Sequence, residues 1–288
     1  MATKNEIAEV KQQSIATFLA TDAVKENVKK IVGDKDTQRF ISSLVSAVQT
    51  NPELAKCTNK SLLNAALLGQ SLDLPQSPQL GMFYLIPFDN KKENVKEAQF
   101  QISYKGLIQL AIRSGQYKKI HVTDIREGEL KDYNPIEDEY TFAPETDMEK
   151  RMKLKVIGYY ASFELLNGYK KSLYWSREQM DAHAKKYSIS YKKGWDSSVW
   201  KTDFDKMAYK TLIKQLLSKY GAMSVEMSKA VVNDQAVIEE ENNPIYVDNI
   251  DVPEKGVNPF EEGGVIDVEA EEIIDVSVAD EAFPKGDK

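Results

Sequence analysis

The sequence predicts an α+β fold, in which a small antiparallel sheet and its hairpins form a compact core flanked by helices. Helical periodicity marks the stretch from residue 36 to residue 70, period-two alternation marks the middle of the chain, and helical periodicity returns after residue 176. Because helices and strands occur in separate runs rather than in alternating βαβ units, the pattern disfavours a doubly wound parallel sheet. An acidic C-terminal tail follows and is predicted to be disordered.

The helices before the last strands are predicted from their apolar faces and their end signals. Residues 36–49 form an amphipathic helix that stops before Pro52. Residues 61–70 are almost wholly apolar, so this second helix is expected to be buried. Residues 105–114 form a third helix, which ends at Gly115, a residue type that commonly closes helices.

Five strands are predicted from apolar runs and from alternating apolar and polar residues, at residues 82–88, 98–104, 117–126, 153–165 and 169–175. Asn167-Gly168 stands between the last two strands, and this dipeptide is the strongest short hairpin signal in the chain. Ser176 then begins a helix, with Gln179 at the capping-box position. Residues 200–220 form the last long helix of the core.

Charge divides the chain into a basic body and an acidic tail, although the whole chain has a net charge of −7. Residues 231–288 hold 17 acidic and 3 basic residues, whereas the preceding part holds 28 acidic and 35 basic residues, a net of +7. A basic body indicates a polyanionic partner. We assign residues 1–35 to an N-terminal leader or oligomerisation segment, residues 36–235 to the core, and residues 236–288 to the tail.

Three interpretations of the tail stay open. Its acids, prolines and glycines lack a sustained period, so it is predicted not to pack and would then only aid solubility. Alternatively, it carries a short motif for a protein partner, since residues 265–278 alternate apolar and acidic residues. A third interpretation is that the tail occupies the basic groove of the body and weakens its non-specific binding of nucleic acid.

Several classes of function find no support in the sequence. Cys57 is the single cysteine and the chain has two histidines, which argues against a Cys/His zinc site and fits the reducing cytoplasm. No GxxxxGK[ST] or GxGxxG motif is present, so we predict no cofactor, no metal and no enzymatic activity. No apolar run approaches the roughly 18 residues of a membrane span, and the N-terminus lacks a signal-peptide core.

The region from residue 151 to residue 220 combines cations with aromatic rings. It holds 15 basic and 6 acidic residues, together with 13 of the 27 aromatic residues. Single-stranded nucleic acid requires this combination, because cations follow the phosphates and rings stack on exposed bases. The alternative is that the rings fill the core while the lysines solvate the surface.

Two helices carry polar stripes of one sign opposite apolar faces. Lys206, Lys210 and Lys214 recur every four residues in the last long helix, and are expected to line the wall of a groove. A second stripe, in the helix after residue 104, consists of Lys105, Gln109 and Arg113. Other lysines that suit phosphate contacts are Lys170, Lys171, Lys185, Lys186, Lys192 and Lys193. None of these residues suggests readout of base edges, so binding is expected to be independent of sequence.

Two other functions stay open at this point. The carboxylates of Asp124 and Glu164, followed by Lys170, would be the candidates for a metal-dependent nuclease centre, although their spacing is loose. A basic body would also suit a scaffold that binds acidic proteins.

Four long blocks of the sequence resemble the RecT family of phage recombinases: QSLDLPQSPQLGMFYLIPF at 70–88, QISYKGLIQLAIRSGQYKKI at 101–120, GYYASFELLNGYKKSLYWSREQMDAHAKKYS at 158–188, and WKTDFDKMAYKTLIKQLLSKYGAMSVEMSKA at 200–230. The resemblance implies an ATP-independent annealing protein that binds single-stranded DNA and forms rings or helical filaments. It also implies work beside a 5′-to-3′ exonuclease, and docking of host single-strand binding protein on the C-terminal tail.

The resemblance also indicates residues. The family's YKG block corresponds to Tyr104, Lys105 and Gly106, while Tyr209 stands where relatives often have Arg, so that a ring replaces a cation there. The resulting prediction for DNA binding comprises Tyr104, Lys105, Gln109, Arg113, Lys170, Lys171, Lys185, Lys186, Trp200, Lys206, Tyr209, Lys210 and Lys214.

Overall fold

The computed structural model describes residues 13–77, 79–90, 93–134, 136–137, 139–196, 198–238 and 244–245. Its helices are α1 (Ile15–Ala20), α2 (Asp22–Val32), α3 (Asp34–Thr50), α4 (Asn59–Ser71), α5 (Tyr104–Arg113), α6 (Met148–Lys153), α7 (Arg177–Tyr187), α8 (Ile189–Lys192), α9 (Val199–Thr202), α10 (Phe204–Tyr220) and α11 (Val225–Val232). Its strands are β1 (Phe83–Asn90), β2 (Val95–Ile102), β3 (Tyr117–Arg126), β4 (Leu130–Asn134), β5 (Glu139–Phe142), β6 (Val156–Leu165), β7 (Lys170–Ser176), β8 (Ala236–Ile238) and β9 (Pro244–Ile245). The predicted α+β fold is confirmed, and most of the predicted acidic tail lies outside the described residues.

The predicted leader contributes to the hydrophobic core. α1 and α2 bury the side chains of Ile15, Leu19 and Val28, which join the cluster that α3 and α4 also line. Ser14 caps α1 by accepting a hydrogen bond from the backbone N–H of Thr17. The described part of the leader is therefore packed onto the core.

The first sheet has the strand order β1-β2-β8-β9, and its neighbouring strands are antiparallel. β1 and β2 form a long hairpin in which Phe83 pairs with Ile102 and Asn90 pairs with Val95. α4 lies against β1, β2 and β8. Its side chains are buried along most of its length, as its apolar sequence predicts.

β8 begins directly after residue 235, where the sequence predicts the end of the core. Ala236 pairs with Phe100 and Val237 pairs with Gln99, so this strand extends the first sheet. All three residues of β8 are buried. A run of three apolar residues is too short to show a period in the sequence, and its burial follows from the edge of β2 that it completes.

The second sheet has the strand order β3-β6-β7, and α7 and α10 cover one of its faces. Tyr159, Ala161 and Phe163 point from β6 into this covered face and are buried. Side chains alternate along a strand, so the residues between them point to the opposite face. There Tyr160 contacts Tyr140 and Phe142 of the β4–β5 hairpin.

Two predicted elements have different bounds in the structure. The predicted helix over residues 200–220 is interrupted at Asp203, whose φ of −137° and ψ of 51° are not helical, so that α9 and α10 are separate. The predicted strand over residues 153–165 begins later, because its first residue belongs to α6, which Asp147 caps. The capping box of Ser176 and Gln179 is confirmed. No helix among the described residues is long and apolar enough to cross a membrane.

Candidate nucleic-acid interface

The N-terminal ends of α5 and α10 lie side by side. The rings of Tyr104 and Tyr209 meet edge to face with centroids 5.7 Å apart. Gly106 permits the close approach of α5 to the end of β1, because a β-carbon at this position would collide with the carbonyl oxygen of Met82. This packing explains the glycine of the Tyr104-Lys105-Gly106 block and leaves the side chain of Lys105 exposed.

Lys206 is an exposed cation near the N-terminal end of α10. Its ammonium donates a hydrogen bond of 2.7 Å to Oδ1 of Asp203, which raises the pKa of Lys206, and the nearby Tyr84 and Tyr104 also favour its charged form. Tyr84 is exposed, although its neighbours in β1 are buried. We call Tyr84, Tyr104, Lys105 and Lys206 the α5/α10 surface. Tyr84 was not predicted, because it lies in the continuous apolar run of residues 82–88, which shows no alternation that would mark an exposed side.

The remaining residues of the α5 stripe are held by neighbouring segments. Arg113 donates hydrogen bonds to the backbone carbonyls of Asp73 and Leu72 and forms an ion pair with the Asp73 carboxylate, 2.9 Å from Nη1 to Oδ2. These contacts fasten the C-terminal end of α5 to the end of α4. Gln109 is half-buried. In the α5 stripe Lys105 and Arg113 are both exposed, and Arg113 is engaged by Asp73 and Leu72.

The α10 stripe is not the row of exposed cations that the spacing predicts. Lys210 and Lys214 both donate to the carboxylate of Asp234, at Nζ–O distances of 2.9 Å. The side chains of Lys210 and Asp234 are only 8% and 1% exposed, whereas Lys206 stays exposed. The prediction was wrong for the exposure of Lys210, because position 210 of α10 faces the segment that leads into β8.

Burial and charge act on this cluster in opposite directions. Burial lowers the pKa of Lys210, against the charge of Asp234, which favours the ammonium form. Burial alone would raise the pKa of Asp234, but the charges of Lys210 and Lys214 hold it below its usual value. Asp234 also accepts a hydrogen bond from the backbone N–H of Ile102. The cluster thus joins α10, β2 and the start of β8.

The two lysines after the hairpin turn point to opposite faces of the second sheet. Lys171 pairs with the buried Phe163 in the ladder, and its ammonium lies 4.8 Å from the ring centre of Tyr220 at the C-terminal end of α10. Lys170 pairs with Glu164 and lies 3.6 Å from its carboxylate on the other face. The hairpin therefore cannot place both lysines in one groove.

The predicted DNA contacts in the last turn of α7 and at the start of α9 are also engaged within the protein. Lys185 forms an ion pair with Asp181 at 2.6 Å, and Lys186 lies over the ring of Tyr187. Trp200 is only 7% exposed, so its ring is part of the core and is not available for stacking on a base. Trp195 is the exposed indole of this region, with the ammonium of Lys193 5.4 Å from its ring centre.

The hydroxyl of Tyr209 is also engaged within the protein. Its hydroxyl donates a hydrogen bond of 3.0 Å to Asp124, and burial together with the charge of Asp124 raises the pKa of Tyr209. Asp124 also forms a 2.7 Å ion pair with Arg126. Asp124 and Tyr209 thereby link β3 to α10 inside the protein.

The carboxylates considered for a nuclease centre are far apart. Asp124 of β3 stands opposite Tyr159 of β6 in the ladder. Tyr159 lies five residues before Glu164 on β6, so the two carboxylates are about 17 Å apart along the sheet. Glu164 is held by Lys118, with a distance of 2.6 Å between the charged atoms. Among the described residues, no group of three or more His, Cys, Asp and Glu is arranged to hold a metal ion.

Comparison with known proteins agrees with the resemblance. A model of the RecT family matches residues 38–248. The chain is 41% identical over 226 residues to the uncharacterized protein YqaK of Bacillus subtilis (strain 168), which covers 77% of this chain and 74% of that protein. It is 29% identical over 255 residues to protein RecT of Escherichia coli (strain K12), with coverages of 85% and 86%. The resemblance found in the sequence is confirmed: the chain belongs to the RecT family of single-strand annealing recombination proteins.

Proposed function

We propose that this protein anneals complementary DNA single strands without ATP, holding one strand on the α5/α10 surface. The observation that carries the proposal is the ring contact of Tyr104 with Tyr209, which joins the N-terminal parts of α5 and α10, where the cations Lys105 and Lys206 are exposed. Cations beside rings suit a single strand, whose phosphates and bases are both accessible.

The chemistry of this surface accounts for binding that is independent of sequence. Lys105 and Lys206 would contact phosphates, which carry no sequence information. Tyr84 and Tyr104 would stack on bases, and every base offers a π-face. A second strand then pairs with the bases that remain accessible. Matched duplex gains about 1.4 kcal/mol of stacking per step, which drives annealing without nucleotide hydrolysis.

The bound strand would continue along α10. This helix spans 17 residues, or about 25 Å, with Lys206 near one end and Tyr220 near the other. Lys171 and Lys219 both lie over the ring of Tyr220 and would offer further phosphate contacts there. Lys214 is partly exposed on the same helix and would neutralise a phosphate between them.

Membership of the RecT family supports two further proposals. The protein assembles into a ring or helical filament, so that neighbouring subunits extend the surface for the strand. Its acidic C-terminal segment docks a 5′-to-3′ exonuclease and host single-strand binding protein, which would bring the annealing protein to freshly exposed strands.

The test is the annealing of two dye-labelled complementary oligonucleotides by the full chain in the absence of ATP. Faster pairing than in protein-free solution is expected, with the same acceleration when a non-hydrolysable ATP analogue is added. Strand pairing at the protein-free rate by folded protein would contradict the proposal.

A further inference from the structure

The second sheet has an open face that the α5/α10 surface does not use. Three cross-strand rows occupy this face: Lys119, Glu164 and Lys170; His121, Ser162 and Ser172; and Thr123, Tyr160 and Tyr174. α7 and α10 cover the other face. Lys119 and His121 are exposed, and the serines beside them are half-buried, so solvent reaches the middle of this face.

One end of the open face carries a column of parallel rings. Tyr133 and Tyr140 are stacked with ring centres 4.7 Å apart and planes 11° apart. Phe142 continues the column, with its centre 6.0 Å from that of Tyr140 and planes 6° apart. Tyr140 and Phe142 also contact Tyr160 of the sheet edge to face. The column thus stands on the sheet and ends at Tyr133.

The position of Tyr133 separates two roles for these rings. Tyr140 and Phe142 are half-buried, and their contacts with Tyr160 explain how the β4–β5 hairpin is anchored. Tyr133 also contacts Tyr174 of the sheet, with ring centres 6.3 Å apart, but it is 41% exposed, so part of the last ring in the column faces solvent. Nucleobases stack on such exposed rings.

The other end of the open face is basic. Lys118, Lys119 and Lys170 surround the single carboxylate of Glu164, to which Lys118 and Lys170 are paired. These four groups carry a net charge of +2, and the side chains of Lys118 and Lys170 remain largely exposed. Tyr160 and Glu164 are four residues apart on β6, about 13 Å. Rings for bases and cations for phosphates are therefore adjacent on one face.

We propose that this open face is a second contact surface for single-stranded DNA, on which a base stacks on Tyr133 and phosphates contact Lys119 and Lys170. The inference rests on the proposed annealing function. The second sheet and α10 lie between this face and the α5/α10 surface, so a short strand bound to one does not touch the other. A subunit with both surfaces would hold two segments of single-stranded DNA at once.

The first test counts bound strands, using a fluorescent oligothymidylate too short to reach both faces. At saturation the wild-type protein is expected to bind two per subunit, and the triple variant Tyr133→Ala, Lys119→Gln, Lys170→Gln is expected to bind one. Tyr133→Ala also removes the ring that stacks on Tyr140, so circular dichroism is used to establish that the variant is folded before its bound strands are counted. Equal stoichiometry in the two proteins would overturn the inference.

The second test examines stacking itself. A strand carrying 5-iodouracil is irradiated on the full chain, and cross-links are expected on Tyr133. Tyr133→Phe keeps the ring and should keep the wild-type preference for a base-carrying strand over an abasic one at this surface. Tyr133→Ala should lower that preference about 5-fold or more. If Tyr133→Ala keeps the full preference for base-carrying strands and cross-links form only on the α5/α10 surface, the second contact surface is contradicted while the proposed annealing function stands. If the wild-type protein binds no oligonucleotide, the proposed function itself is contradicted.

Discussion

Lys210 and Asp234 form an ion pair inside the protein, with Nζ 2.9 Å from Oδ1 and neither side chain more than a tenth exposed. The pair connects α10 to the turn that leads into β8. Lys214 binds the other carboxylate oxygen from the half-buried side. Lys210, which the spacing of the α10 stripe assigns to a groove wall, is therefore paired inside the protein.

Asp234→Ala should lower the free energy of unfolding by about 3–5 kcal/mol, because it leaves the buried charge of Lys210 without a partner. Urea unfolding followed by circular dichroism measures this. Lys210→Met should cost less, since the carboxylate keeps Lys214 and methionine fills the space. If Asp234→Ala unfolds at the wild-type urea concentration, the buried pair does not stabilise the protein as described.

Lys105→Gln with Lys206→Gln should weaken binding to all single strands equally, because both residues are placed on phosphates. The slope of log K against log salt should fall by about 0.7 for each lost contact. Fluorescence anisotropy with labelled oligonucleotides at several salt concentrations measures both effects.

Two variants serve as controls for this slope. Lys56→Gln removes an exposed lysine that is paired with Glu53, away from the α5/α10 surface. Folded Lys210→Met removes a buried one. Both should retain the wild-type slope, and a flatter slope in Lys210→Met than in the double variant would return Lys210 to the interface.

A chain that ends at residue 248 should fold and anneal naked strands, whereas a chain that ends at residue 235 should be destabilised. The shorter chain loses β8, and burial of Val237 and Ile238 contributes about 1.5–3 kcal/mol each. Thermal unfolding of both truncated chains beside the full chain measures the difference. Equal unfolding temperatures for the two would show that β8 contributes nothing to stability.

His183 should make the protein less stable in mild acid. The rings of Trp175, Tyr187 and Trp200 surround it, and burial, assisted by the charges of Lys186 and Lys214, lowers the pKa of His183 to about 4. The unfolded chain takes up a proton near pH 6.5, while the folded chain stays neutral. This contribution to stability is therefore complete above that pH and is lost as the pH falls toward 4.

Urea unfolding at about pH 7 and about pH 5 measures the effect of His183. His183→Gln, which cannot be protonated, should lose less stability between the two pH values than the wild type. Carboxylates such as Asp234 respond to acid in both proteins, so the difference between the proteins isolates His183. An identical loss in both would show that His183 does not couple folding to pH.

Local physics lets the sequence predict much of the fold. The bounds of β3, the hairpin turn at Asn167-Gly168 and the capping box of Ser176 depend on residues a few positions apart, and the structure agrees with each. The order of helices and strands likewise follows from periodicity within each segment. The family was also determined by the sequence, because its long blocks are read directly from the residues.

Tertiary structure decided which of the chemically suitable side chains reach solvent. Lys210 is buried because Asp234, 24 residues away, meets it, and Trp200 is buried among rings from α7, α8 and α10. The rings of Tyr104 and Tyr209 meet although these residues lie far apart in the chain. Helical spacing shows which residues share a face of one helix, but the segments that cover that face are distant in sequence. Exposure, and with it the surface available to DNA, is therefore set by the packing of the whole chain.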